Sequence, residues 1–374
     1  MKRKLTALIL SAAMLTGLCG CGSVFDKEYV SVSDYNPPAA DKDTDEEKIT
    51  VRNFSELKQT ILKLVAAGET DSIIQFDQAY DGDTTEDMAS ACWQVRTQDA
   101  MCAYCVENIA YELTKIVTYY EASVHISYSE ASLDEGGIVR LQYSTGLEEL
   151  IRNAFETGDT KLVVLINWST YSAEDMESLV GRTYRKYPAS VPKEPRASVY
   201  MFSGTGMQRL YEINISYGCT QAELEARRKE MAELEPFAAL DTGHMDQAHK
   251  ALEACRYLVE NCGYTEDTQY NSAYAALIRS CANSEGTALA YVELCRRLGV
   301  NCRIVYGQRD WQDYCWNIIE VDGMFYHVDV PRCTENGLEN GFMLRDEDMW
   351  ESHRWDVSSY PACVGDLINT EIIG

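Results

Sequence analysis

The chain has 374 residues, a formal net charge of -26 at pH 7, and 46% hydrophobic and 25% charged residues. Its length is sufficient for two or three domains, each with its own core. So acidic a chain disfavours nucleic acid and anionic lipid headgroups as partners, and we predict no nucleic-acid partner.

The first residues have the pattern of an export signal. Basic residues at positions 2–4 precede a mostly apolar stretch at 5–18, which is shorter than the ~20 apolar residues of a membrane-spanning helix. The stretch ends in Leu-Cys-Gly-Cys at 18–21, which resembles a bacterial lipobox and implies lipidation of Cys21. We therefore predict a signal peptide at 1–20 and a protein lipid-anchored to the cell membrane, facing outside the cytoplasm. An ordinary cleaved signal and a free secreted protein are the alternative.

Residues 21–49 contain two prolines and a charged run with little apolar periodicity, which predicts a tether. Two segments that resemble each other at an offset of 90 residues follow it. Each has apolar residues at helical spacing, then glycine, then a short apolar run: Leu57, Ile61, Val65, Gly68 and 72–76 in the first, and Leu147, Ile151, Phe155, Gly158 and 162–166 in the second. The pattern predicts an amphipathic helix closed by glycine and a buried strand.

Further elements complete each segment as a small α/β module. A helix at 97–115 and a strand at 121–128 are predicted for the first module, at 50–135. A helix at 172–186 and strands within 197–217 are predicted for the second, at 136–220. We interpret the pair as an internal duplication. His125, in the alternating strand of the first module, is predicted to be structural.

The last part of the chain, 221–374, holds the segments that bear on chemistry. Predicted helices at 221–233 and 246–261 come first. Ser-Glu-Gly-Thr-Ala at 284–288 then begins a helix that ends before Gly299. Next come Tyr-Cys-Trp-Asn at 314–317 and, after an Asp-Gly turn, a strand that carries Asp329.

In this order, these segments resemble the transglutaminase-like superfamily, which has a papain-like fold. Residues 284–288 fit the family's Cys-x-Gly-Tyr-Ala, and 314–317 fit His-Ala-Trp-Asn. The resemblance implies an α+β fold, in which a transglutaminase-like domain at 221–374 follows the two α/β modules. It also implies that Ser284 occupies the catalytic Cys position, Tyr314 the His position and Asp329 the acid position.

The family chemistry uses a thiolate at a helix N-terminus, a histidine base and an orienting carboxylate. Ser284 lacks the thiol, and Tyr314, a phenol with an ordinary pKa of ~10, is a poor base near neutrality. We expect Ser284 to serve as a helix N-cap and Asp329 to accept a hydrogen bond from Tyr314. The predicted function is an inactive domain that binds a peptide or protein at the cell surface, with Trp316 and Asn317 lining its cleft.

Two alternatives remain open. A rebuilt active site would use Cys281 as nucleophile, with His327 and Asp329, which face the same side of one strand. Against it, Cys281 lies about one helical turn from the helix start, and Cys315 should point away from a site into which Tyr314 points. The chain would then be a cysteine transamidase or peptidase. The other alternative is a structural spacer.

The fourteen cysteines do not form a recognisable metal motif. Cys102 and Cys105 form a CxxC, but no second CxxC stands at zinc-site spacing and no histidine is near. Most other cysteines occupy apolar periodic positions, where buried thiols are the default interpretation. We therefore predict neither a metal nor a cofactor.

Overall fold

The structure, a computed structural model, describes residues 49–129, 137–367 and 369–374. The predicted signal peptide, its Cys21 and all but the last residue of the predicted tether lie outside the described residues. That last residue, Ile49, begins the first strand instead, so the tether boundary was placed one residue too late. No helix in the described part of the chain combines the length and the apolarity needed to cross a membrane.

The first module is a four-stranded sheet covered by helices. Its strands, in chain order, are β1 (Ile49–Asn53), β2 (Asp71–Asp81), β3 (Val106–Ile116) and β4 (Tyr119–Tyr128). Its helices are α1 (Phe54–Ala66), α2 (Thr84–Gln98) and α3 (Ala100–Cys105). The strands lie in the order β1-β2-β4-β3, and β1 with β2 is the parallel pair.

The predicted helix at 97–115 is wrong. Asp99 has extended backbone angles that end α2, and its side chain accepts the Cys102 N–H and so caps the short α3. From Val106 onward the chain is a strand, in which β-branched and aromatic residues favour extended structure. The closing strand predicted at 121–128 is confirmed as part of β4.

The second module repeats this topology. Its strands are β5 (Ile138–Tyr143), β6 (Lys161–Trp168), β7 (Arg196–Ser203) and β8 (Arg209–Ser216), in the order β5-β6-β8-β7. Its helices are α4 (Leu147–Thr157) and α5 (Ala173–Lys186). The helix predicted at 172–186 and the strands predicted within 197–217 are confirmed, and Ser172 caps α5.

One tyrosine makes the same contacts in both modules. The Tyr128 hydroxyl donates to the Leu64 and Glu69 carbonyls, and the Tyr217 hydroxyl donates to those of Ala154 and Asp159. Each tyrosine thus ties the end of its last strand to the turn that follows the first helix. The shared contacts agree with the duplication, which stays a prediction.

The C-terminal domain packs helices on one face of a four-stranded antiparallel sheet. Its helices are α6 (Gln221–Glu233), α7 (Gln247–Asn261), α8 (Ala273–Ile278), α9 (Ser284–Leu298), α10 (Val330–Asn336), α11 (Asp346–Met349) and α12 (Asn369–Ile373). A short parallel pair is formed by β9 (Gly263–Tyr264) and β10 (Cys281–Ala282). The sheet, in the order β13-β12-β11-β14, is formed by β11 (Asn301–Arg309), β12 (Gln312–Val321), β13 (Met324–Val328) and β14 (His353–Trp355).

The two faces of this sheet differ, and β12 shows how. Its residues Cys315 and Ile319 belong to the large core that also contains α7, α9 and module 2. Tyr314, Trp316 and Ile318 belong to a smaller layer on the opposite face. This alternation is the two-residue period of a strand, and it decides which residues can reach the start of α9.

Candidate functional site

Ser284 is the first residue of α9. The N-cap is Asn283, which has extended backbone angles and accepts the Gly286 N–H at 2.9 Å through its side chain. The predicted N-cap role of Ser284 is therefore wrong, because the residue before it, an equally good capping type, takes that place. The Ser284 hydroxyl instead accepts the backbone N–H of Cys315 at 3.3 Å, which fixes the start of α9 to β12.

Tyr314 lies in the position where the family has histidine, and its hydroxyl is fully engaged. It donates to Asp329 Oδ1 at 2.9 Å and accepts from Arg309 Nη1 at 3.3 Å. Burial and the Asp329 carboxylate raise the pKa of the Tyr314 hydroxyl far above its ordinary value. A hydroxyl that holds its proton so firmly cannot act as a base near neutrality.

Asp329 is completely buried and has three donors. Besides the Tyr314 hydroxyl, Oδ1 accepts the backbone N–H of Arg332, so the carboxylate is the N-cap of α10. Oδ2 lies 3.1 Å from Nε2 of His353, which is also completely buried. The other ring nitrogen of His353 contacts the Ser352 hydroxyl at 2.9 Å.

His353 is the residue that sequence reasoning missed. It comes 24 residues after Asp329 and is brought back by the pairing of β14 with the end of β11. No spacing rule predicts that contact. The available signal was the histidine of His-Arg-Trp at 353–355, the short segment that forms β14.

His327, like His353, is completely buried, but its ring nitrogens contact Trp316 and Asp346. Trp316 Nε1 donates to Nδ1 of His327 at 2.9 Å, and Nε2 lies 2.9 Å from Asp346 Oδ1. Because the indole N–H can only donate, Nδ1 must accept, and the Nε2–H donates a hydrogen bond to the Asp346 carboxylate. Burial lowers the pKa of His327 below its ordinary value. Neither ring nitrogen is therefore free to accept the proton of Cys281, as the rebuilt site would require.

The two candidate thiols near the helix start lie on different strands. Cys281 lies in β10, beside Gly263 of β9. Cys315 does face the side of the sheet opposite to Tyr314, but that side is the α9 side. Burial raises the pKa of the Cys315 thiol to about 12, so it is protonated near neutrality.

Trp316 and Asn317 do not line a cleft, and this prediction is wrong. Both are 1% exposed. Trp316 packs among the rings of His327, His353 and Trp355. Asn317 points to the opposite face and donates to the Ala288 carbonyl of α9 at 3.0 Å. They follow Tyr314 along β12, but their side chains are buried by the layers that cover the two faces of the sheet.

A concave surface nevertheless remains at the start of α9. Two adjoining hollows of about 560 and 550 Å³ share five lining residues, Thr268, Asn283, Ser284, Asp313 and Tyr314. Arg309 and Glu335, which form a 2.6 Å ion pair, line the first hollow. A concave surface is thus present between the start of α9 and the end of β12 that carries Tyr314.

All five histidines of the chain lie in its described part, and all have partners away from Ser284. The side-chain partners are Asp71 for His125, Asp241 for His244, Asp246 for His249, Trp316 and Asp346 for His327, and Asp329 and Ser352 for His353. His125, predicted to be structural, is part of an exposed pair on the first sheet. No described histidine therefore takes the place of the base at Ser284.

One group of side chains has the composition of a metal site. The ligand atoms of His327, Asp346 and Cys363 lie within 4.8 Å of one another. A metal at Nε2 would need the lone pair of that nitrogen, but the Trp316 N–H at Nδ1 keeps the proton on Nε2. The arrangement therefore fits a hydrogen-bonded layer better than a metal centre.

Comparisons with known proteins agree with this geometry. Residues 238–330, which are 93 of the 374 residues, match the model of the transglutaminase-like superfamily. No curated protein matches the chain. The C-terminal region is a transglutaminase-like domain, and the chain as a whole is an α+β protein.

Similar solved structures are remote. One is a TGase crystal structure, 10% identical with a TM-score of 0.26, covering 55% of this chain and 61% of the other. Another is named "Putative Cysteine Protease from Cytophaga hutchinsonii", 11% identical with a TM-score of 0.25, covering 44% and 69%. A third structure, named "putative protease from Parabacteroides distasonis", is 10% identical, with a TM-score of 0.21, covering 56% and 45%. The chain thus spans 61% of the first of these proteins.

Proposed function

We propose that this chain is a membrane-anchored lipoprotein outside the cytoplasm, whose transglutaminase-like domain binds a peptide or protein without processing it. One observation carries the loss of activity: the Tyr314 hydroxyl, in the histidine position, donates a hydrogen bond to Asp329 and accepts one from Arg309. General-base assistance is worth roughly 10²–10⁴-fold, and Ser284 needs it more than a thiol would. Acyl transfer at Ser284 is therefore not expected.

A hairpin beside the hollow supports a binding role. Asp310 and Trp311 form the two-residue turn between β11 and β12, and both have positive φ, 52° and 67°. Such turns favour Asn-Gly or Asp-Gly, because side chains are strained in this conformation. The hairpin between β12 and β13 follows that rule with Asp322 and Gly323.

Trp311 therefore occupies a place where glycine would be more stable. Its side chain is 79% exposed, and its neighbours Asp310 and Gln312 line the hollow at Ser284. An exposed tryptophan held in a strained turn at the rim of a concave surface is an arrangement typical of recognition. This placement supports polypeptide binding over the structural-spacer alternative.

The loss of catalysis is tested with the purified protein. We expect no incorporation of dansylcadaverine into dimethylcasein and no cleavage of fluorescent casein above buffer. Turnover that iodoacetamide abolishes would overturn this part of the proposal. If turnover appears, Cys281→Ala against Ser284→Ala identifies the nucleophile and would restore the rebuilt site as an explanation.

Binding is tested with dimethylcasein as an extended polypeptide probe, by biolayer interferometry. We expect Trp311→Gly to weaken binding at least about tenfold, an effect typical of an aromatic anchor. Trp93→Ala, which removes another exposed tryptophan far along the chain, is the matched control and should bind as the wild type does. Equal binding by Trp311→Gly, or no binding by the wild type, would contradict the proposed role of the hollow.

The anchor rests on the sequence pattern alone, since Cys21 lies outside the described residues. In a bacterial host, we expect the protein in the membrane fraction, with an N-terminal peptide that carries acyl chains on Cys21. Cys21→Ser should remove the acyl mass and release the protein from the membrane fraction. A wild-type N-terminus without acylation would refute the anchor.

A further inference from the structure

A basic groove lies where module 2 meets the C-terminal sheet. Arg182, Arg185 and Lys186 of α5 line one side of it, and Arg303 of β11 lines the other. The groove has a volume of about 470 Å³, and Glu320 is the acidic residue of its lining. Four cations around one groove stand out in a chain of net charge -26, and they produce a local field that attracts anions.

Two of the four cations form ion pairs and two do not, although the Arg303 guanidinium lies over the Phe325 ring of the groove, 5.9 Å from its centroid. Arg185 forms a 3.1 Å ion pair with Glu194 and stacks on Tyr306, and Lys186 forms a 2.6 Å pair with Glu148. The side chains of Arg182 and Arg303 have no carboxylate within ion-pair distance among residues 49–129, 137–367 and 369–374. Their charges are therefore available to a ligand.

The floor of the groove is a free strand edge. Strand β14 pairs with β11 only at Gly307–Arg309, so the first part of β11 has no outer partner in the described structure. The Tyr306 N–H points to this outer side, where it donates to the Tyr360 hydroxyl. Alternation along a strand then places the backbone N–H and C=O of Cys302 and Ile304 on the same side. Both residues line the groove.

We propose that this edge binds an acidic peptide segment in extended conformation, as an added strand. The unpaired backbone groups of Cys302 and Ile304 give the main-chain hydrogen bonds of strand addition. Arg303 shares a sheet face with Ile318, whereas α5 packs beside α9 on the other face. Successive residues of an added strand point to opposite faces, so two consecutive acidic residues reach Arg303 and Arg182. This site is separate from the hollow at Ser284 and goes beyond the function proposed above.

The test uses fluorescence anisotropy with the purified protein. The probe is a blocked hexapeptide with a central Asp-Glu pair between valines and threonines, labelled with tetramethylrhodamine. Its Asn-Gln analogue tests the charges, and an analogue with N-methylated valines tests the backbone hydrogen bonds. Arg182→Glu/Arg303→Glu removes the two unpaired cations, and Arg96→Glu/Arg140→Glu changes two exposed arginines outside the groove lining by the same net charge.

We expect the Asn-Gln analogue and the Arg182→Glu/Arg303→Glu variant each to weaken binding by about tenfold, which corresponds to about 1.4 kcal/mol. The N-methylated analogue should bind at least about fivefold more weakly than the parent. The Arg96→Glu/Arg140→Glu control should bind the parent peptide as the wild type does. No binding by the wild type, or equal losses in both arginine variants, would overturn the proposal. Equal binding of the N-methylated peptide, or its displacement by equimolar tripolyphosphate, would indicate an anion site without strand addition and would also overturn it.

Discussion

The Tyr314 hydroxyl donates to Asp329 Oδ1 at 2.9 Å, in the positions where the family has its base and acid. A catalytic histidine would also donate to Asp329, but the phenol has no second, basic atom to turn towards the nucleophile. A histidine there would accept a proton from the nucleophile while Asp329 held its other nitrogen. Tyr314 donates its one O–H to the carboxylate and accepts from Arg309, so the pair stabilises the fold and offers no base for acyl transfer.

The contribution of this bond to stability can be measured. Tyr314→Phe removes the hydroxyl from a buried carboxylate, and we expect the free energy of unfolding to fall by about 2 kcal/mol. Tyr306→Phe is the matched control, because its hydroxyl contacts Glu285 at 3.3 Å in an exposed setting. Its effect should stay within about 0.5 kcal/mol. Urea denaturation compares the two, and equal effects would contradict the assigned role of Tyr314.

Removal of His353 should cost more than removal of the Tyr314 hydroxyl. His353→Ala leaves Oδ2 of the buried Asp329 without a donor, and we expect a loss of about 3–5 kcal/mol in unfolding free energy. His353→Gln, whose amide can donate to the same oxygen, should recover part of this loss. His125→Ala, at an exposed Asp71 pair, should be nearly neutral. A loss for His353→Ala no larger than that of His125→Ala would refute the buried contact.

His327 predicts a pH dependence of stability. Its pKa in the folded state is lowered by burial, so between the ordinary value near 6.5 and the lower folded value the unfolded chain binds more protons. The contribution is therefore complete above about pH 6.5 and is lost as the pH falls below it. His327→Gln, which can accept from Trp316 and donate to Asp346, should reduce the slope of unfolding free energy between pH 7 and 5.

The scaffold itself can be tested by restoring the family residues. In Ser284→Cys/Tyr314→His, the new imidazole should lower the pKa of the new thiol at the start of α9. We expect this thiol to react with iodoacetamide at pH 7 at least about tenfold faster than the thiol of Ser284→Cys alone. The reaction is measured by peptide mass mapping of position 284. Equal rates in the two variants would indicate that the geometry around Ser284 has also departed from that of an active enzyme.

The strained turn at Trp311 predicts a substitution that raises the free energy of unfolding, whereas the substitutions above lower it. Trp311→Gly should raise the unfolding free energy by about 0.5 kcal/mol, because relief of about 1 kcal/mol of backbone strain exceeds the lost stacking on Arg354, about 0.5 kcal/mol. Gly323→Ala is the converse change at φ +80, with nothing within 4 Å of the new methyl. It should lower the unfolding free energy by about 1 kcal/mol. A loss of stability in Trp311→Gly would contradict the inferred strain.

What the sequence could predict follows the range of the interactions. The amphipathic helix at Leu147 and a strand before the acid position were predicted because period and turn residues are local signals. The strand ends at Val328, however, and Asp329 caps α10. The helix expected at 97–115 failed because one residue, Asp99, ends one helix and caps the next. Ser284 and Asn283 are adjacent and both suit an N-cap, so the local signal could not separate them.

The candidate site depended on contacts of longer range. His353 reaches Asp329 only through the pairing of β14 with β11. Trp316 and Asn317 were expected to line the cleft, although tryptophan at such a position is more often part of a core. Strand alternation, together with the layers packed on both faces of the sheet, buries them. Family motifs mark the positions along the chain, but they do not say which neighbours fill the space between them.

Asp329 caps α10, and it also satisfies Tyr314 and His353. Replacement of this aspartate would leave one helix start and two buried side chains without their acceptor, whether or not any reaction took place. Ser284 accepts one backbone N–H and Tyr314 bonds to Arg309 and Asp329, but neither side chain caps a helix. An intact acid is therefore weak grounds for assigning activity to a chain of this kind. The identities at the positions of Ser284 and Tyr314 are the informative ones when such sequences are sorted into enzymes and binding proteins.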